Sequence, residues 1–433
     1  MNDTIFALSS GHGKAGIAVV RLSGVDLEKF FQMIGKKPLP RIATLADLID
    51  TDGGVIDRAI IIYFSAPNSF TGEDVIEFHT HGSTAVIEKL FDALRARGAR
   101  MADPGEFTRR AFDNGKMDLI EVDGLTALLD ARTEHQRRTA LRTAAGADSA
   151  VYENWRAQMI EIAAYSAAML DYPADELPEN IGKNLLERTK KLHAEISAAI
   201  SRAAAGRSVR AGFNIAIIGP VNAGKSSLFN RLVGESRAIV SDVPGTTRDV
   251  VSAEIDIDGY LVRLLDTAGL RATKNKVEKM GIARTNDAIE TADLVIKVEN
   301  SVRKVKNSPK ENEIIVRNKC DLVGPENTGK DNGFSLNISA LTGVGISELL
   351  DLIRKEVHKR LDDAESDVIV NARAKTLLEE AVAELKSAID AVPSADIFAE
   401  HVRRAADAIG RILGVIRVEE VMDAVFGQLC LGK

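Results

Sequence analysis

The chain has 433 residues, 45% of them hydrophobic and 27% charged, and a formal net charge of −7. That length exceeds one ordinary core and predicts roughly two to four folded domains, while the composition excludes wholesale disorder. The acidic balance argues against a surface that coats nucleic acid throughout and leaves room for a local basic patch.

The opening residues, Met1 to Phe6, lack the basic and apolar regions of a secretory leader, and no apolar run reaches the length of a membrane span. The expectation is a cytoplasmic protein without membrane association. Cys320 and Cys430 are its two cysteines, too far apart in sequence to suggest a disulfide framework. Residues 3–8, 15–22 and 55–64 read as short apolar strands, with helical patterns near 26–34 and 83–97, which predicts an α+β domain over 1–117. Gly11-His12-Gly13-Lys14-Ala15-Gly16 matches a dinucleotide-loop pattern. The residues after it, Ile17 to Leu22, have strand character, however, where such a loop must open a helix. His79 and His81 alternate as a pair on one strand face would, but no third ligand stands near them, so no transition metal is expected there.

From about Asp118 the pattern turns helical and Ala- and Leu-rich, with breaks near Gly146 and over 171–175. Residues 118–211 are therefore expected to supply one part of a helical domain. Arg132, Arg137, Arg138 and Arg142 give its early portion a basic stripe, which suits either a solvated face or phosphate contacts.

Residues 212–361 alternate strand and helix signals, with strands expected at 213–218, 251–257, 260–265, 293–298, 312–317 and 334–338. At their head stands Gly219-Pro220-Val221-Asn222-Ala223-Gly224-Lys225-Ser226, between an apolar strand and the helix opening at Ser227. This is the P-loop pattern: glycines turn backbone N–H groups onto a polyphosphate, Lys225 reaches the β- and γ-phosphates, and Ser226 holds Mg²⁺. Asp266-Thr267-Ala268-Gly269 follows the next long strand, where the carboxylate can hold Mg²⁺ through water and the Gly269 N–H can approach the γ-phosphate. Asn318-Lys319-Cys320-Asp321 offers a carboxylate to the guanine N1 and N2 hydrogens, a donor pair that adenine lacks, and Ser339-Ala340 caps the base from the next loop. Three ordered motifs in strand-to-loop context predict a GTPase. Gly245-Thr246-Thr247-Arg248-Asp249 occupies the place where a switch segment offers a hydroxyl to Mg²⁺. Leu270 stands where a water-orienting Gln would be expected, so another group must position the nucleophile. Beyond Leu361 the chain is helical again, near 367–391 and 395–428. The simplest architecture therefore inserts an α/β Ras-like G domain, 212–361, between the halves 118–211 and 362–433 of one discontinuous helical domain.

Taken with Asp3-Thr4-Ile5, Arg21-Leu22-Ser23-Gly24, the stretch from Ala66 to Asp74, the stretch from Pro104 to Phe112, and the terminal Cys430-Leu431-Gly432-Lys433, these motifs resemble the MnmE (TrmE) family of tRNA modification GTPases. The likeness runs over nearly the whole chain. The loop Ser9-Ser10-Gly11-His12-Gly13-Lys14 departs from it, standing where the family has a Pro-Pro-Gly-Arg-Gly type of sequence.

The resemblance implies an N-terminal domain that forms a homodimer and binds 5-formyltetrahydrofolate or a related folate. It implies a flavoprotein partner, MnmG (GidA), in a heterotetramer or larger assembly, and modification of C5 of the wobble uridine of certain tRNAs to a 5-carboxymethylaminomethyl or aminomethyl-type group. Carried over by motif, the folate site is Arg21, Glu77, Lys116 and Lys433. K⁺ falls to Asn222, Ser241, Val243 and Thr246, and Mg²⁺ to Ser226 and Thr247. The wider nucleotide set adds Gly219, Ala223, Gly224, Ser227, Asp242, Pro244 and Gly245. Glu278 is the family's catalytic glutamate, acting with Lys225, and Cys430 takes part in the modification as nucleophile, acid or positioning group. Two other readings stay open: a regulatory or ribosome-assembly GTPase without modification chemistry, and a one-carbon-transfer enzyme that its G domain only regulates.

Overall fold

The computed structural model describes residues 3–171, 180–239, 251–266, 292–300, 312–322, 329–331, 335–362, 370–391 and 394–415. By contacts the chain divides into two compact units. One is Met1–Thr126, Thr143–Ile160 and Ala406–Lys433, and the other is Ala127–Arg142 and Glu161–Ala405.

The first unit is built on six strands: β1 (Ile5–Leu8), β2 (Ala15–Gly24), β3 (Thr44–Ile49), β4 (Val55–Phe64), β5 (Asp74–Gly82) and β6 (Arg100–Met101), in the order β3-β4-β5-β2-β1-β6. β1 pairs with β6 in parallel, and the other neighbours are antiparallel. Two-residue alternation sends Val20, Leu22, Ile61, Tyr63, Ile76 and Phe78 to one face, where they join Phe30, Leu90, Phe91 and Leu94 in the core. Leu90, Phe91 and Leu94 come from α2 (Thr84–Ala96), an amphipathic helix whose apolar stripe covers the sheet. Arg21 and Glu77 face each other across β2 and β5 on the opposite side.

The helix expected near 26–34 is a single turn, α1 (Glu28–Phe31), followed by a 3₁₀ turn. β3, β5 and α3 (Glu106–Asp113) are elements that the sequence pattern did not place. Their burial comes from partners distant in sequence. A strand, β2, does follow the Gly11–Gly16 loop, as its composition required.

α4 (Leu119–Asp130), α5 (Glu134–Ala144) and α6 (Ala147–Asp171) come next, with Gly146 at φ +84° making the expected break between α5 and α6. α4 and α5 approach so closely that a Cβ on Gly124 would stand 2.4 Å from Ala144 N. Only glycine fits there.

In the second unit α7 (Ile181–Ala211) leads into β7 (Phe213–Ile218), α8 (Lys225–Glu235), β8 (Arg237–Ala238), β9 (Val251–Ile257), β10 (Tyr260–Asp266), β11 (Leu294–Asn300), β12 (Glu313–Asn318), β13 (Gly329–Asp331) and β14 (Ser335–Asn337). The sheet runs β13-β14-β12-β11-β7-β10-β9-β8, with β14, β12, β11, β7 and β10 mutually parallel. Their near-continuous apolar runs match strands covered on both faces. α9 (Ile346–Leu361) adds Ile346, Leu349, Ile353 and Val357 to this core.

α10 (Ala372–Asp390) packs along α7, burying Leu378, Ala381 and Leu385 on one and Leu185, Leu192 and Ile196 on the other at helical spacing. α11 (Ala395–Leu413) is the last described helix. None of the helices in the described residues is long and apolar enough to cross a membrane.

Candidate functional site

The carboxyl ends of β7, β10, β12 and β14 all open on one edge of the parallel sheet, where open α/β folds place their ligands. The loop leaving β7 is shaped by two glycines. Gly219 (φ +152°) passes so close to β11 that a Cβ would stand 2.2 Å from Val298 O. Gly224 (φ +89°) caps α8, and its Cβ would stand 2.2 Å from Asn318 Nδ2. Asn222, between them, is left-handed at φ +61°, a conformation that asparagine adopts more readily than most residues.

Lys225, the first residue of α8, is buried to 9% exposure, and its ammonium donates to Gly219 O (2.9 Å) and Pro220 O (3.0 Å). A buried cation, a helix N-terminus and glycine-shaped backbone thus converge on one point, an arrangement that suits a polyphosphate. Ser226 and Ser227 stand on the same first turn, Ser227 exposed. Asp266 ends β10 in register with Ile217 of β7, at the same edge of the sheet.

Asn318 joins this loop to the base-recognition loops. It is 2% exposed; Nδ2 donates to Ala223 O (2.9 Å), and Oδ1 accepts from Lys319 N (2.8 Å) and Ala340 N (3.0 Å). Its amide therefore ties its own loop to two others, and shifting one moves the rest. Asp321 is exposed just beyond it, with Lys319 left-handed at φ +69° turning the chain outward. Ser339 is buried, and its Oγ accepts from Thr342 N (3.1 Å), which shapes the capping loop. Burial, and next the Asp321 charge, push the Cys320 thiol above its ordinary pKa, so it stays an inert packing group. Ser241, Asp242, Val243, Pro244, Gly245, Thr246, Thr247, Thr267, Ala268, Gly269, Glu278, Cys430 and Lys433 lie outside the described residues.

Two family models cover the chain: "GTP-binding protein TrmE N-terminus" over residues 4–116 and "MnmE helical domain" over residues 119–430. The chain belongs to the MnmE family of tRNA modification GTPases. It is 41% identical to the tRNA modification GTPase MnmE of Agrobacterium fabrum, covering 100% of this chain and 99% of that protein. It is 42% identical to the protein of that name from Parvibaculum lavamentivorans, covering 100% of both. Among solved structures, the G domain of the T. maritima FeoB iron transporter is 25% identical and covers 34% of this chain and 98% of that one. Its TM-score of 0.24 is too low to bear on the fold of the whole. As a member of the MnmE family the chain is a GTPase.

Of the four residues that the MnmE resemblance assigns to folate, the structure pairs two. Arg21 Nε and Nη2 both donate to Glu77 Oε1 (3.1 and 2.9 Å), and the guanidinium lies over the rings of Phe70 and Phe107 at 5.2 and 5.9 Å. Glu77 Oε2 stands 3.4 Å from His79 Nε2, so this carboxylate is set between two bases. His81 instead pairs with Asp57 at 2.8 Å. Lys116 is exposed on the wall of a cavity that does not include Arg21 or Glu77. A carboxylate backed by arginine can accept the N–H groups of a pterin ring, so the donor set fits such a ligand.

Sequence reasoning missed a second cluster in the same unit. Arg110, 3% exposed, donates to Asp3 O and Oδ1 (2.9 and 2.8 Å), to Glu73 (3.1 and 3.2 Å) and to Glu106 (3.0 Å). Arg100 adds two bonds to Glu106 (2.8 and 2.5 Å). Burial raises the Glu106 carboxyl, but hydrogen bonds from Arg100, the Asp103 backbone and Arg110 outweigh it and hold the group below its ordinary pKa. The acids and arginines between 100 and 110 were visible, but their partners at 3 and 73 were not.

The basic stripe on α5 is partly spent within the chain. Arg132 pairs with Glu254, and Arg137 with Glu134 at 2.7 Å.

Proposed function

We propose that the chain uses GTP hydrolysis to drive modification of C5 of a wobble uridine in tRNA, working as a homodimer in the cytoplasm with a flavoprotein of the MnmG (GidA) kind. The product is a 5-carboxymethylaminomethyl or aminomethyl-type group, and the one-carbon unit comes from a tetrahydrofolate. The domains in this reading are 1–117 for folate and dimerisation, 118–211 with 362–433 as the helical domain, and 212–361 as the inserted G domain.

The observation that carries it is the Asn318 clasp, which ties the Lys225 loop to the loops bearing Asp321 and Ala340. Lys225 and the α8 N-terminus offset the phosphate charge, Asp321 selects guanine, and Ser226 with Thr247 holds Mg²⁺, which supplies charge for phosphoryl transfer. Asn222, Ser241, Val243 and Thr246 hold K⁺, the positive charge that an arginine finger brings elsewhere, and Glu278 orients the attacking water. Arg21, Glu77, Lys116 and Lys433 hold the folate, and Cys430 acts on the nucleobase side of the reaction. The pairing of Arg21 with Glu77 favours this reading over a regulatory or ribosome-assembly GTPase, which needs no such site.

Mass spectrometry of tRNA nucleosides from cells lacking the protein tests it. Loss of the 5-substituted uridine is the expected result, and an unchanged nucleoside profile would remove the proposal.

A further inference from the structure

Below Lys116 the first unit holds a cavity of about 520 Å³, walled by the end of α3, the start of α4, the start of α6 and the end of α11. Its size is that of a small-molecule site, which typically runs to a few hundred Å³. Three features of its lining point to one kind of occupant.

Ser149 is 5% exposed, and its Oγ has no hydrogen-bond partner among the described residues. An unpaired buried hydroxyl is destabilising, and a polar ligand atom in the cavity would remove that cost. Glu121 is the second feature. Its Oε2 accepts from Asp118 N (2.8 Å), while Asp118 Oδ1 accepts from Ile120 N and Glu121 N (2.8 and 2.9 Å), a reciprocal cap that fixes the carboxyl in place. Gly146 keeps the other oxygen clear, because a Cβ there would stand 2.9 Å from Glu121 Oε1. Burial raises the Glu121 pKa; the Asp118 N–H lowers it, and the Asp118 and Glu153 charges raise it further.

The third feature is charge. Asp118, Glu121 and Glu153 line the cavity with Lys116 as the cation among the described lining residues. A phosphate is repelled from the acidic side of this lining, while a neutral heterocycle is not.

We propose that this cavity is a base pocket that takes the target pyrimidine of the RNA, flipped from its stack. It reads the edge of the ring on which an N–H lies beside a carbonyl. Glu121 Oε1 accepts from the N–H, Ser149 Oγ donates to the carbonyl, and Lys116 stands on the wall beside them. The pocket rests on the RNA-modifying reading above and adds to it where the nucleobase binds. Flipping a base is least costly in a loop where it is already unpaired.

The test uses the full-length protein and an anticodon stem-loop RNA carrying 4-thiouridine at the target position, crosslinked by long-wave ultraviolet light and mapped by mass spectrometry. Crosslinks to peptides within 112–121 or 146–153 are expected. Ser149→Ala and Glu121→Gln, the second of which keeps the cap acceptor, should each lower crosslink yield roughly 3- to 10-fold with RNA retention on filters maintained. Crosslinks confined to other peptides, or yields unchanged in both variants, would overturn the pocket. RNA that is not retained at all would sink the RNA-modifying reading and the pocket with it. Mapping on the unmutated protein decides the matter even if a variant fails to fold.

Discussion

Lys225 and Arg110 are both basic side chains with less than a tenth of their surface exposed, and they are buried by different means. Lys225 is held by carbonyls five and six residues before it, inside one loop whose glycines leave no room for side chains. Arg110 is held by carboxylates 4, 37 and 107 residues away, gathered from its own helix, the loop before β5 and the chain start. The first arrangement is local and can be rebuilt from eight consecutive letters. The second exists only once the sheet has formed, so its function is to hold α3, the 66–74 loop and the chain start together.

If that contrast is right, removing Arg110 should damage stability most. Arg110→Met removes the cation facing Glu73 and one of the two that hold Glu106, and loss of one partner from a buried ionic cluster costs about 3–5 kcal/mol. Trp155, the chain's single tryptophan, is buried in the same unit, so its fluorescence during denaturant unfolding gives the readout. The carboxyls of Asp3 and Glu106 both titrate below their ordinary values. Their contribution is present above about pH 4 and is lost as pH falls through the lowered folded values, so the unmutated unit should weaken on acidification below that point and Arg110→Met should weaken less steeply.

Gly224→Ala comes next. The new methyl would meet Asn318 Nδ2 at a left-handed backbone position, a strain of about 1–3 kcal/mol, and it would open the Asn318 clasp. Nucleotide affinity, followed with a fluorescent GTP analogue, should fall by at least about tenfold while the Trp155 unfolding curve stays in place. A shift of both readouts would blur the contrast between the two regions.

A smaller effect belongs to the tip of the β9–β10 hairpin. His135 stacks on Tyr260 at 3.7 Å, Tyr260 OH donates to Asp362 (2.8 Å), and His358 bonds Asp362 and Asp258 (2.9 and 3.2 Å). Hydrogen bonds to Asp362 and then Asp258 raise the His358 pKa. Its stabilisation is full below the unfolded value of about 6.5 and is lost as pH rises through the raised folded value. His358→Gln should flatten the fall in melting temperature above pH 6.5. Arg137→Ala, which breaks an exposed pair with Glu134, should change stability by less than about 0.5 kcal/mol.

The same contrast explains what was legible in the sequence. The strand, glycine loop and helix from 213 to 235 were readable because each signal is local, as was the Asn318 to Asp321 loop. β5 was not placed, although it is central to its sheet, because its alternating acids and histidines hide a strand whose apolar residues face a core built from β2, β4 and α2. Neither Ser149 nor Glu121 was marked as a site residue by its sequence pattern. Only the folded cavity distinguishes them from their neighbours on the same helices.

Asp321 chooses the nucleotide at a site that the Asn318 clasp holds in shape. Hydrolysis of GTP and of XTP by the unmutated protein and by Asp321→Asn measures that choice, since xanthine offers an oxygen where guanine offers its amino group and an asparagine amide can donate to it. The expected result is a fall in GTP turnover at low substrate on the order of 100-fold, with XTP turnover rising in the variant. Equal GTP turnover by the two proteins would contradict the assignment of the nucleotide site.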